Sequence, residues 1–284
     1  MRKWFKYLIL FGEERKKNIK KHDKFNEFEK AMGGYESNEH YDDKDKFNAK
    51  YLNGRFYHYN KYLKKNINSQ MKILSVASGR CINELQFIDQ DYDITCSDLD
   101  IPASYELAKK TFKEYKFEVL NILQSHTNEK YNCVLSLGLV YAFSANEFKI
   151  FFSNINKSLD DGGILILDSS SSQNNFITFF YDRIYLKIET LIISIILNLI
   201  GKKNSMGIRH HGYKFTNNEI ISFAKANGFE LLGVDKCDYL TEILRSKIAS
   251  KLTKIIPFSK YFFIIFGFPM PYLRFFKFKK IKSL

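Results

Sequence analysis

"ILSVASGRCINEL", residues 73–85, decides how the rest of the chain is read. A short strand-forming run, Ile73 to Ala77, stops at Ser78 and Gly79, and a helical pattern begins within a few positions. A buried strand, a turn of small residues and a helix start form the unit that holds nucleotides in parallel α/β sheets. Small residues there let backbone N–H groups approach a ligand. Nucleotide loops usually hold several glycines, and this one holds Gly79 alone, so an ordinary strand-to-helix turn reads the same residues equally well. The flanking sequence has to decide.

Working outward, short β-rich runs at 73–77, 94–97, 117–120, 133–137 and 164–167 alternate with helical patterns at 82–88, 103–115 and 145–159. Strands apolar on both faces, alternating with helices, predict a parallel sheet covered on both sides. "DDGG" (160–163) ends a helix and turns into the fifth strand. Later, "KFTNNEIISFAKANGFELLGV" places Thr216 as N-cap, Glu219 three residues on and Gly228 as the stop, followed by one more strand of the same sheet. The chain therefore divides into an N-terminal helical region (1–70), a Rossmann-like core (71–170), an apolar helical insertion or cap (171–211), a return to the core sheet (212–240) and a basic aromatic tail (241–284). No internal repeat is present.

Charge follows the same divisions. The formal net charge of +13 splits into +7 over residues 1–70, −5 over 71–170 and +11 over 171–284. Any phosphate-seeking surface must then lie in the flanks and not in the core. Hydrophobic residues at 45% with 26% charged residues exclude a disordered chain. The four cysteines (Cys81, Cys96, Cys133, Cys237) contain no CxxC pair, so they read as reduced core residues in a reducing compartment, and no metal site is expected. The first residues, "MRKWFKYLILFGEERKK", have an apolar run too short for a signal peptide and suit a basic amphipathic helix, resting on a membrane or on its own domain. "LIISIILNLI" (191–200) is too short to span a bilayer, which needs about 20 apolar residues, and the apolar stretch 255–276 is interrupted by Pro257, Lys260, Pro269, Pro271 and Arg274.

The strand ends carry the chemistry. "DITCSDLD" ends on Asp98, 19 residues after Gly79, where an acid grips a ribose hydroxyl pair in nucleotide-binding α/β folds. Asp100 is a rival for that role. Asn121 ends "FEVLN", where its amide either hydrogen-bonds an adenine edge or caps the following turn.

These stretches together resemble the class I S-adenosylmethionine-dependent methyltransferases. "KILSVASGRCINEL" is similar to their first motif, "ITCSDLDIPASYELAKKTF" to the second, "FEVLNI" to the third, "KYNCVLSLGLVYAF" to the fourth, and "INKSLDDGGILILDSS" to the fifth strand with its Gly-Gly turn. "YKFTNNEIISFAKANGFELLGV" matches the late helix–strand unit. The resemblance covers residues 71–170 and 212–235. It implies an α/β fold with a mostly parallel, seven-stranded Rossmann-like sheet and helices on both faces. It departs from the family at Ser75, where an acid is usual, at Ala77 and Cys81, where glycines are usual, and at Asn121 and Asn132, where acids are usual.

The resemblance implies S-adenosylmethionine as cofactor, bound by Ser75, Ala77, Ser78, Gly79, Asp98, Leu99, Asn121, Ile122, Leu137 and Gly138. A nicotinamide dinucleotide suits the loop less well, because Cys81 and Glu84 stand near its second and third glycine positions and Glu84 would repel a pyrophosphate. For catalysis, alignment of an acceptor with the sulfonium methyl is the main requirement. Tyr141 after the fourth strand, and His210 or His211 in "RHHGYKF", are the candidate wall and base. The apolar insertion and basic aromatic flanks point to a small-molecule or lipid-linked acceptor, either a sugar hydroxyl or amine or a lipid headgroup. They also point to a peripheral membrane contact and a cytoplasmic location, free or at the inner face of the membrane. An RNA methyltransferase and a catalytically inactive membrane adaptor are the alternatives; the "LGLVYAF" after the fourth strand lacks the Asn/Asp-Pro-Pro-aromatic pattern of amino-methyltransferases.

Overall fold

The computed structural model describes residues 6–11, 38, 40–52, 55–140, 143–169, 188, 191–192, 195–196, 199, 205–210, 215–237, 247–261 and 273–281. In chain order the elements are β1 (Lys6–Phe11), α1 (Lys44–Tyr51), α2 (Arg55–Asn66), β2 (Ile73–Val76), α3 (Leu85–Ile88), β3 (Ile94–Asp98), α4 (Tyr105–Thr111) and β4 (Lys116–Val119). There follow β5 (Tyr131–Ser136), α5 (Ala145–Ser158), β6 (Leu159–Ser169), β7 (Ser205–His210), α6 (Asn217–Ala226), β8 (Phe229–Cys237), α7 (Lys247–Ile255) and β9 (Leu273–Lys280).

The period-two alternation of strand side chains builds two cores, one on each face of the sheet. Ile73, Leu135, Ile166 and Phe275 enter the first core, packed by aromatic residues of α1 and α2 and by α3. Their neighbours Leu74, Val134, Leu165, Leu167, Phe276 and Phe278 enter the second, packed by Phe148, Phe151 and Phe152 of α5 and by Ile220 and Ala224 of α6. The two packing helices start on capping boxes, Ser144 with Glu147 and Thr216 with Glu219. Gly228 ends the second of them at φ +80°, a conformation glycine adopts without steric cost.

The seven strands of the main sheet lie in the order β4-β3-β2-β5-β6-β9-β8. The pairs β3–β4, β2–β3, β2–β5 and β5–β6 are parallel, and β9 is antiparallel to both of its neighbours. The expected mostly parallel, seven-stranded architecture is therefore the observed one. All four cysteines are free, and Cys81, Cys96 and Cys133 are buried.

Two regions differ from their sequence reading. Residues 6–11, expected to be helical, form β1, which pairs antiparallel with β7 in a separate two-stranded sheet. β7 lies in the segment read as a helical insertion. The alternation in "KYLILF" is weak, and six residues are too few for the helix period to be told from a strand. The second difference is larger. Residues 273–280, read as part of a basic tail, form β9 between β6 and β8. Phe275, Phe276 and Phe278 are fully buried, and even Arg274 and Lys280 lie inside. The Lys280 ammonium donates to the Leu159 carbonyl (2.9 Å) and lies 3.3 Å from an Asp161 carboxylate oxygen. A strand inserted in the middle of a sheet needs apolar residues on both faces, and the three phenylalanines supply them. Of the N-terminal helical region expected over 1–70, residues 12–37 lie outside the described residues.

Because β9 is core and not tail, Phe276→Ala should lower unfolding stability by about 3–5 kcal/mol in urea titration. A chain ending at residue 270 should show no cooperative unfolding transition.

Candidate functional site

Parallel pairing puts the carboxyl ends of β2, β3, β5 and β6 along one rim. Strand order reverses between β2 and β5, and in such sheets a crevice opens at that point. The loop after β2 stands beside it.

The loop is held to β3 by a dense set of bonds. The Gly79 N–H donates to Asp98 Oδ2 at 2.7 Å, and the Leu99 N–H donates to Asp98 Oδ1 at 2.7 Å. The Ser78 N–H and hydroxyl both donate to the Ser97 carbonyl, at 2.9 and 3.2 Å. The Ser97 hydroxyl donates to the Ser75 carbonyl at 3.0 Å. Gly79 and Asp98 therefore meet directly. Leu99 next to them is 37% exposed, an apolar side chain left at the rim.

The backbone of this loop keeps a glycine-like shape where glycine is absent. Ala77, Gly79 and Cys81 all have positive φ, at 54°, 56° and 57°. Left-handed backbone costs an L-residue about 1–2 kcal/mol, so something must hold the loop in place. The Asp98 bonds do so on one side. On the other, Tyr41 OH donates to the Arg80 carbonyl at 2.8 Å, and the Arg80 guanidinium sits over the rings of Tyr41 and Tyr51, at 5.8 and 6.0 Å.

Under the loop lies a buried acid. Glu84, 1% exposed, accepts a 2.7 Å bond from the Ser75 hydroxyl on Oε1, while its Oε2 has no hydrogen-bond partner. Burial pushes its carboxyl up from the ordinary 4.5 to about 7, and the Ser75 hydroxyl bond partly restrains the rise. Tyr41 and Cys96, which feel its charge, are themselves raised chiefly by burial.

Further along the rim, the sequence candidates divide. Gly138 follows β5 at φ +75°, and a Cβ built on it would meet no atom within 4 Å, so open space adjoins the backbone there. Leu137 is buried in the first core and Ile122 in the second. The Ile122 carbonyl is also occupied, accepting from Asn154 Nδ2 at 2.7 Å. The structure thus turns the Ile122 side chain away from the rim. Asn121 Oδ1 accepts from the Leu123 N–H at 3.1 Å, the turn-capping use left open by the sequence. Asp100 is exposed. Tyr141, His211 and the side chain of His210 lie outside the described residues; the His210 backbone pairs with Lys6 in the small sheet.

One residue was missed from sequence. Asp168, nearly the last residue of β6, is buried and accepts from Tyr59 OH at 2.5 Å and from the Gly138 N–H. Beside it Arg274 donates to Ser169 Oγ at 3.1 Å and to Asn217 Oδ1. Burial lowers the Arg274 pKa to about 10, and Asp168 offsets part of that. "ILILD" ends on its acid as "ITCSD" ends on Asp98, a signal present in the chain. Among the described residues, no group of three or more His, Cys, Asp or Glu could hold a metal ion.

No family profile matches the sequence, and no curated protein is similar to it in sequence. Solved structures do match in fold. The 1,6-didemethyltoxoflavin-N1-methyltransferase of Burkholderia thailandensis, solved with 1,6-didemethyltoxoflavin and S-adenosylhomocysteine, superposes with a TM-score of 0.51 at 11% identity. The match covers 79% of this chain and 77% of that one. A Galdieria sulphuraria protein assigned as a sarcosine dimethylglycine methyltransferase gives 0.50 at 12% identity, over 81% and 88%. An S-adenosylmethionine-dependent methyltransferase from Methanosarcina mazei gives 0.50 at 13% identity, over 78% and 98%. The chain has the Rossmann-like fold of the class I S-adenosylmethionine-dependent methyltransferases.

Two measurements check the strain and the buried acid. Ala77→Gly should raise stability by about 0.5–1 kcal/mol, the left-handed cost less the larger unfolded-chain entropy of glycine. For Glu84, the folded chain keeps a proton between pH 4.5 and about 7 that the unfolded chain has released. Stability is thus highest below that window and falls as pH rises through it. At about 1.4 kcal/mol per unit, the loss is on the order of 3 kcal/mol. Urea titrations across the window should show this fall in the wild type and not in Glu84→Gln.

Proposed function

We propose that the chain is an S-adenosylmethionine-dependent methyltransferase acting on a small or lipid-linked acceptor. The acceptor is a sugar hydroxyl or amine or a lipid headgroup, of the kind methylated in surface glycan biosynthesis. The observation that carries this reading is the Gly79–Asp98 contact at the crevice where strand order reverses. A glycine loop and a strand-end carboxylate side by side at that crevice suit the ribose hydroxyls of an adenosyl group. Ser75, Ala77, Ser78 and Gly79 would line the loop side, Asp98 would take the ribose hydroxyls, Leu99 would pack on the base, and Gly138 would leave room beside the reacting end.

Glu84 helps to choose the ligand. A buried carboxylate with one oxygen unsatisfied sits beside the loop, which disfavours a pyrophosphate and suits a ligand that carries positive charge. The bound donor supplies an electrophilic methyl group. The residues of this chain bind it, exclude water and align the acceptor with it, and alignment alone can supply roughly 7–11 kcal/mol of rate enhancement. Asp168, held by Tyr59 and the Gly138 N–H, fixes the acceptor side of the rim. His210, His211 and Tyr141 stay candidates for removing a proton from a hydroxyl or amine acceptor.

The acceptor class rests on the 171–211 insertion. Ile188, Leu191, Ile192, Ile195, Ile196 and Leu199 are helical, follow a helix-face spacing and are all exposed. Apolar stripes of this kind suit an amphiphilic substrate or an interface more than a nucleic acid. The basic flank is also less available to RNA than its charge suggests, since Arg274 and Lys280 are buried and Lys277 donates to Asn66 at 3.0 Å.

Calorimetry with S-adenosylhomocysteine tests the reading. Binding in the micromolar range is expected, weakened at least tenfold in Asp98→Ala, since hydrogen bonds to a charged group contribute roughly 1.5–3 kcal/mol. Absence of binding by the wild type would overturn the enzyme reading and leave the inactive adaptor.

A further inference from the structure

α7 (Lys247–Ile255) and the turns that follow it form a surface that nothing in the methyl-transfer reading uses. Residues 251–261 contain no buried side chain. Ile255 is 77% exposed and Phe258 80%, and Leu252, Ile256 and Tyr261 are exposed with them. A nine-residue helix is too short to persist in water through its own propensity, because isolated helices below about 12–15 residues are marginal. A surface must therefore cover the apolar side of this one.

The charge pattern says which kind. Residues 247–261 hold four lysines and no acid. Positions 248, 252 and 255 share one helix face, and positions 247, 251 and 254 run beside it at the same spacing, all three of them lysine. Lys251, Lys254 and Lys260 are exposed. An apolar stripe edged by lysines, with aromatic residues just beyond it, is the arrangement of a helix lying in a bilayer interface. Protein–protein interfaces are depleted of lysine, so a protein partner fits the pattern less well. Among the described residues no helix is long and apolar enough to cross a membrane, which leaves lying on the surface as the mode.

We propose that residues 247–261 dock the protein onto an anionic lipid bilayer, with Leu252, Ile255, Ile256 and Phe258 entering the interface and Lys251, Lys254 and Lys260 meeting headgroup phosphates. The surface deepens the interfacial part of the proposed function. Its test does not depend on that function, because vesicle binding is read without any methyl donor.

The experiment is co-sedimentation of the full chain with phosphatidylcholine vesicles, with and without phosphatidylglycerol. Binding is expected only with the anionic lipid and should fall with added salt. The double variant Lys251→Gln/Lys254→Gln should bind anionic vesicles about 25-fold more weakly, since each basic residue near such a surface is worth about a factor of five. Ile255→Glu/Phe258→Glu should abolish sedimentation. All four positions are exposed, so circular dichroism and S-adenosylhomocysteine binding should be unchanged. Equal binding of wild type and variants, or none by the wild type, overturns the proposal. So does a wild-type dimer in solution that Ile255→Glu dissociates, which would make a second copy the covering surface.

Discussion

The bond from the Gly79 N–H to the Asp98 carboxylate joins the loop after β2 to the end of β3, and the candidate site is organised around it. A carboxylate buried at a strand end needs donors, and two backbone N–H groups supply them. The same contact pins a loop whose backbone is left-handed at three alternate residues, two of them with a Cβ. That anchor, the Ser78–Ser97 bonds, and the Tyr41 and Arg80 contacts on the other side together oppose the relaxation of Ala77 and Cys81. Left-handed backbone at Ala77 and Cys81 thus raises the energy of the loop.

Three buried carboxylates near the rim differ in environment. Asp98 and Asp168 each accept backbone N–H bonds at a strand terminus. Glu84 faces apolar surroundings with one hydroxyl donor, and burial holds its proton to near neutrality. The Ser75 hydroxyl donates to Glu84 on the following segment, which puts a buried acid beside β2.

The basic flank divides in a comparable way. Counted along the chain, residues 241–284 look uniformly cationic and aromatic. In the fold, 273–280 become a central strand whose phenylalanines fill both cores, and two of its basic residues are buried against backbone carbonyl or side-chain oxygens. Among the described residues of this stretch, the exposed charge lies at Lys251, Lys254 and Lys260, beside exposed isoleucine and phenylalanine, and at Lys279. Net charge alone could not separate these roles.

The sequence by itself determined the parallel core, the two capped helices, the Gly79 loop and Asp98, because these rest on local periodicity, local capping and a fixed spacing between adjacent strands. Asp168 was legible by the same logic but lacked a family motif to draw the eye. Tertiary structure alone decided that β9 enters between β6 and β8, that 6–11 pairs with 205–210, that Ile122 points into the core, and that Glu84 meets Ser75. Each of these depends on segments brought together from far apart or on which face a side chain takes after packing. A one-dimensional pattern carries the period of an element, while its neighbour is chosen by the burial of surfaces that meet only in the folded chain.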